Sequence, residues 1–187
     1  MKRDDGSVHR MFSFFLIIWI VILFGVLFQV AKAGLLNRHL EDSLMQANLS
    51  AILIDPYQYG ATKELVFANI DEVKERFEEN LWEGMGSYET MRKLGIVERA
   101  KVQELRLYER KEKGICETVF RDGDPSIKLQ HSWRDMVVAP DGTFIETASI
   151  YAKIAVPVRL GFGMELTVVK EHCVDVLMSG GMIDEET

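Results

Sequence analysis

Proline is missing from the first 55 positions of this 187-residue chain, and only four occur in all. Nothing there forces an early helix to break. Cysteine is scarcer still, with Cys116 and Cys173 standing alone. Two thiols are too few for a disulfide-built scaffold or a four-thiolate zinc site. A basic excess is also lacking. The net charge is −7, and the part ahead of Gly34 carries +2 (Lys2, Arg3, Arg10 and Lys32 against Asp4 and Asp5), which leaves −9 on the remainder. That acidity argues against nucleic acid as a partner, and against an anionic lipid surface, because both are held by basic patches. Catalytic signatures are absent too: no glycine-rich phosphate loop, no nucleophile elbow, no zinc motif. Gly161-Phe162-Gly163 lacks the third glycine and the following helix of a nucleotide site. No enzyme activity and no cofactor are expected.

One further absence turns into the main positive signal. Residues 12–31 contain no charge, and only Ser13 and Gln29 are polar among them. About 20 helical residues at ~1.5 Å each match a ~30 Å hydrocarbon core, so this run is long enough to span a bilayer once. The pattern then changes without a break. Leu36, Leu40, Leu44, Ala47, Ala51 and Ile54 recur at spacings of three and four, opposite Arg38, Glu41, Asp42, Gln46 and Ser50. That is one apolar stripe on a helix. A single helix over residues 12–54 is expected, apolar all round in its first half and amphipathic in its second. Lys2, Arg3 and Arg10 precede the span and Lys32 and Arg38 follow it, which favours the N-terminus inside and the domain outside. The chain thus divides into a cytoplasmic head (1–11), a transmembrane helix (12–31) and an extracytoplasmic α+β domain (32–187) with 32–54 as its scaffold helix. A secretory signal cut after Ala33 is the competing reading, although the apolar run exceeds the ~7–15 residues usual for such a core.

Asp55-Pro56 and Gly60 mark a turn. Val66, Ile70, Val73, Phe77 and Leu81 form a second apolar stripe, with Asn69 and Glu72 as a capping box, Glu72 to Arg76 as an i,i+4 pair and Gly84 as C-cap. A short helix over 87–94 closes at Gly95. From Lys101 the period drops to two. Strands are expected over 101–111, 115–121, 127–133, 144–156 and onward to 177, with Asp122-Gly123-Asp124-Pro125 and Pro140-Asp141-Gly142-Thr143 as turns. Pro157 signals an edge, an end or a bend, and Gly161 and Gly163 a bulge or reversal. Five or six antiparallel strands result, one face covered by the helices, with Ser179-Gly180-Gly181 and an acidic tail beyond them.

Candidate site residues are few. Cys116 and Cys173 could pair in an oxidising compartment, or could be two separate thiols. His131 and His172 beside these cysteines suggest a metal only weakly, because adjacent strand residues such as His172 and Cys173 face opposite ways. His131 reads as an interior histidine with a partner. Within the span, Gly25 and Gln29 are the candidates for contact with a neighbouring membrane helix.

A short head, an uninterrupted apolar-then-amphipathic helix and an α+β domain with an antiparallel sheet resemble a type IV pilin or pseudopilin. Leu40-Glu41-Asp42-Ser43-Leu44-Met45-Gln46-Ala47-Asn48-Leu49-Ser50-Ala51 is similar to the corresponding stretch of minor pilins of the tight-adherence (Tad) type. The run Ser149-Ile150-Tyr151-Ala152-Lys153-Ile154-Ala155-Val156-Pro157-Val158 looks like the sheet of such proteins. The resemblance implies a helix that sits in the lipid bilayer and then packs with other pilin-like or membrane assembly proteins of a pilus or secretion system. One departure qualifies it. Gly6 is followed by Ser7-Val8-His9-Arg10-Met11 with no glutamate, so a permanently anchored accessory component fits better than a processed subunit. The alternative from another class is a membrane-tethered domain that binds a ligand or protein outside the membrane.

Overall fold

The computed structural model describes residues 5–122, 126–132 and 134–176. The expected turn at 123–125, Trp133 and the tail from 177 onward lie outside the described residues, as does the head up to position 4.

One helix, α1 (Asp5–Ala51), runs 47 residues, about 70 Å at ~1.5 Å per residue. It stops three residues before the expected end at Ile54. Leu53 and Asp55 leave the helix to pair with the 66–68 segment, through Asp55 N–H to the Val66 carbonyl (3.0 Å) and Ala68 N–H to the Leu53 carbonyl (2.9 Å). Asp55 then begins a new helix rather than a turn. Its carboxylate accepts from the N–H groups of Tyr57 and Gln58 and caps α2 (Pro56–Thr62), with Pro56 at the first helical position, where a missing donor costs nothing.

Asn69 caps α3 (Ile70–Gly84), its side chain accepting from Asp71 and Glu72 N–H, while the Glu72 carboxylate turns outward to Arg76 at 2.9 Å. The expected C-cap at Gly84 is corrected. Gly84 is the last residue of α3, and a Cβ there would sit 3.4 Å from Ser43 of α1. It lies at the contact between the two helices, and the left-handed position falls to Gly86 (φ +81°). Ser43 Oγ spans this contact, donating within hydrogen-bond reach of both the His39 carbonyl (2.7 Å) and the Gly84 carbonyl (2.9 Å). The short α4 (Tyr88–Leu94) starts at a Ser87 cap and ends at Gly95 in the left-handed region, as its sequence suggests.

Five antiparallel strands follow: β1 (Lys101–Lys111), β2 (Gly114–Arg121), β3 (Ile127–His131), β4 (Ser149–Arg159) and β5 (Glu165–Asp175), in the order β3-β2-β1-β4-β5. β1 is central because the long 132–148 connection returns the chain to its free side. Pairing of Leu105 with Phe120 and Ala152, and of Leu107 with Thr118 and Ile150, sets the register. Leu105, Leu107, Ile150, Ala152, Ile154, Val156 and Val158 therefore face the helices and join Leu36, Leu40, Leu44, Ala47 and Ala51 of α1 and Val73, Phe77 and Leu81 of α3 in one buried core. Each large aliphatic chain so buried contributes about 1.5–3 kcal/mol. Pro157 lies within β4, beyond the last β1 partner. Its carbonyl accepts from Val97 N–H (3.0 Å), so its ring nitrogen also points to the side where β1 has run out, and no ladder bond is lost. Gly161–Gly163 form a 3₁₀ turn that reverses β4 into β5.

Two features depart from expectation on the far side of the sheet. The 132–148 connection lies over that face, where Val137, Ala139 and Ile145 pack with Tyr108, Ile115, Tyr151 and Cys173 as a second, smaller core. β3 is not half-buried. It is an edge strand whose Ile127 and Leu129 remain exposed, since the 132–148 cover packs over Tyr108, Ile115 and Tyr151 and leaves them bare.

Candidate functional site at the apolar half of the long helix

α1 is one element with two environments. From Leu36 onward its stripe is buried, whereas over residues 11–28 its large apolar side chains are exposed, Trp19 at 71 % and Phe28 at 69 %. Among the described residues one helix is long and apolar enough to cross a membrane, and none of its most apolar stretch is covered by the rest of the chain. The same length and composition suit a signal helix. A contiguous band of this kind on a soluble monomer would be far larger than the few hundred Å² normally tolerated.

The two candidate contact residues in the span behave differently. Gly25 has nothing within 4 Å: it shares the helix face of Gln29 but lies one turn earlier, short of the domain. Gln29 is already engaged: its Oε1 accepts from Gly161 N–H at 3.1 Å, across 132 residues of sequence. A Cβ on Gly161 would run into the Gln29 amide, so a side chain there would displace this bond. Gln29 thus makes a bond within the chain through Oε1, beside which its contact with a neighbouring helix stands as an expectation. It clamps the β4–β5 tip to α1 where the apolar run gives way to charge.

The cysteines do not form a disulfide. Both are free thiols. Cys116 stands opposite Glu109 on the helix side, and Cys173 stands opposite Tyr151 on the other side. With β1 and β4 between their strands, three steps of ~4.8 Å separate them, about twice the ~7 Å limit for bridging two α-carbons. Burial first, then the nearby Asp141 and Asp175, push the Cys173 thiol up to about 12. Among the described residues no group of three or more His, Cys, Asp or Glu is placed to hold a metal ion. His131 is half-exposed at the edge of the sheet, bonded through Nε2 to Glu117 at 2.8 Å, so it has a partner but is not interior.

That histidine belongs to a charged row on the far face that sequence reading did not assemble. Arg106 on β1 reaches Glu104 (2.7 Å) and Glu117 (2.8 Å), and Arg121 also meets Glu104 at 3.3 Å. Burial lowers the Arg106 pKa, but the hydrogen bond it donates to Glu117 and the charge of Glu104 outweigh it and hold the guanidinium above its ordinary value. On β4, burial and a 2.8 Å bond to Glu171 push the Tyr151 phenol well up. Each carboxylate of the row meets a cation from its own or the adjoining strand, so the arrangement clasps β1, β2 and β3 together. The signal was present as period-two alternation of Glu104 and Arg106, but which strand would lie beside them was not.

Fold and exposed helix together define the class: an α+β domain built on the inner half of a helix whose outer half has membrane-spanning length and composition. No protein-family model matches the chain, and neither a curated protein nor a solved structure matches it.

Proposed function

We propose that this protein is a single-pass, membrane-anchored structural or assembly component of pilin-like plan, an accessory part of a Tad-type pilus or related secretion system. The observation that carries this reading is the continuity of α1. The same helix supplies the span and, from Leu36 to Ala51, the centre of the domain core, with no linker between. A mere tether would tolerate a flexible joint; a subunit that must hold its head at a fixed angle to neighbouring helices would not. Gln29 is engaged by Gly161, whereas Gly25, about one turn earlier on the helix, has nothing within 4 Å and is open to helix–helix packing. The basic residues around the span favour the head inside and the domain outside.

Photo-cross-linking tests this reading. A benzophenone amino acid at Trp19 or Gly25 in native membranes is expected to give covalent adducts with a second copy or with other single-pass helices. The same probe at the buried Leu40 is expected to give none. Adducts to lipid alone at both span positions would overturn it. The tethered-receptor alternative draws on a different feature, a hollow of about 340 Å³ beside the exposed Met136 and Phe144 on the far face. Ligand-dependent thermal stabilisation abolished by Phe144→Ala would favour that alternative.

A further inference from the structure

The end of the domain nearest the apolar half of α1 differs in charge from the rest. A hollow of about 460 Å³ opens there between α1, α4 and the β4–β5 hairpin, lined among others by Phe28, Lys32, Tyr88, Arg92 and Arg159. No acidic residue lines it, although the chain beyond residue 33 carries −9. Three cations from three separate elements converge on it. Arg159 shares its charge with Glu165 across the hairpin (Nε to Oε1 2.9 Å), whereas Lys32 and Arg92 take part in no ion pair among the described residues. The Gln29–Gly161 bond fixes the hairpin tip at this level of the helix.

Position supplies the second argument. Residues 12–31 match the thickness of the hydrocarbon core, so Lys32 falls in the headgroup layer. Tyr88 (77 % exposed) and Phe28 place aromatic rings at the same height, where interfacial aromatics gather. We propose that this hollow takes the phosphate-bearing headgroup of an anionic phospholipid from the leaflet beside which α1 leaves the bilayer. The proposal rests on the membrane-anchor reading. The net acidity of the domain, which disfavours an anionic surface elsewhere, does not describe this end.

Native mass spectrometry of the full chain in detergent, with equimolar phosphatidylglycerol and phosphatidylcholine, tests it. Wild type is expected to retain phosphatidylglycerol roughly tenfold better, and Lys32→Gln and Arg92→Gln each to weaken that preference about fivefold, given the usual effect of one juxtamembrane cation. Lys128→Gln, on the exposed edge strand, is expected to leave it unchanged. Equal retention of the two lipids, or a preference that both variants keep, would overturn the proposal. Displacement of the lipid by millimolar inorganic phosphate would reassign the site to free phosphate and overturn it as well. Flotation with phosphatidylcholine vesicles separates the two failures. A chain that floats but shows no headgroup preference refutes only this site, whereas one that stays in the aqueous phase refutes the anchor and the site together.

Discussion

Leu40→Ala measures whether the inner half of α1 belongs to the domain. Leu40 is fully buried in the core that α1 shares with α3 and the sheet. Truncation to alanine removes about three carbons, worth roughly 2–2.5 kcal/mol in transfer free energy at ~0.8 kcal/mol each. The cavity left between two helices and a sheet adds to this, bringing the expected loss to about 3–5 kcal/mol. For a domain of this size each kcal/mol lowers Tm by about 2–4 °C, so the midpoint should fall by about 6 °C at the least. Thermal unfolding of the full chain in mild detergent, followed by circular dichroism or by fluorescence of the partly buried Trp82, reads it directly. Leu23→Ala is the internal control. It removes the same atoms from the exposed apolar half and should change the domain Tm hardly at all. A Leu40→Ala loss below about 1 kcal/mol, or equal effects at the two positions, would refute the division of α1 into span and scaffold.

Two further outcomes follow from local geometry. Asn69→Ala removes the acceptor for Asp71 and Glu72 N–H and should cost about 1 kcal/mol of domain stability, with Asn69→Asp restoring it; chemical denaturation decides. Cys173 should resist maleimide at neutral pH until the protein unfolds, while the half-exposed Cys116 reacts in the native state. Because the Cys173 thiol is raised on folding to about 12, its contribution to stability is complete below the ordinary thiol range and is lost as pH rises from about 9 toward 12. The raised Tyr151 phenol acts in the same direction. Melting at pH 7.5 and pH 10.5 should show the alkaline loss, and a higher Tm at pH 10.5 would contradict it.

Periodicity made part of this fold legible. The stripe from Leu36 to Ala51 and that from Val73 to Leu81 are buried as their spacing requires, and alternation along β1 and β4 placed Leu105, Ile150 and Ile154 inward. What escaped was decided by contacts between distant segments. Ile52 to Ile54 continue the apolar pattern of α1, but pairing with 66–68 outcompetes another helical turn. Gly84 has the sequence context of a cap, yet it stays within the last turn of α3, against Ser43 of α1. In the cover over the far face, Ile145 was expected within a strand from 144, but β4 starts only at Ser149, and Val137 and Ala139 lie in a stretch with no period to read. Similarly, alternation in β3 told which residues share a face, but not that the face would lie at an uncovered edge. Neither the Gln29–Gly161 bond nor the convergence of Lys32, Arg92 and Arg159 could be read before the hairpin was known to fold back onto the helix.

A helix without a hinge acts as a lever. Some 20 residues of α1 extend past the charge boundary at Lys32 into the domain, about 30 Å of stiff rod. Membrane helices lean by about 20° on average, and a lean of that size displaces Ala51 sideways by about 10 Å. Where the greasy end spans a bilayer as proposed, whatever changes its inclination, such as bilayer thickness or a neighbouring helix, therefore swings the whole sheet as one rigid vane.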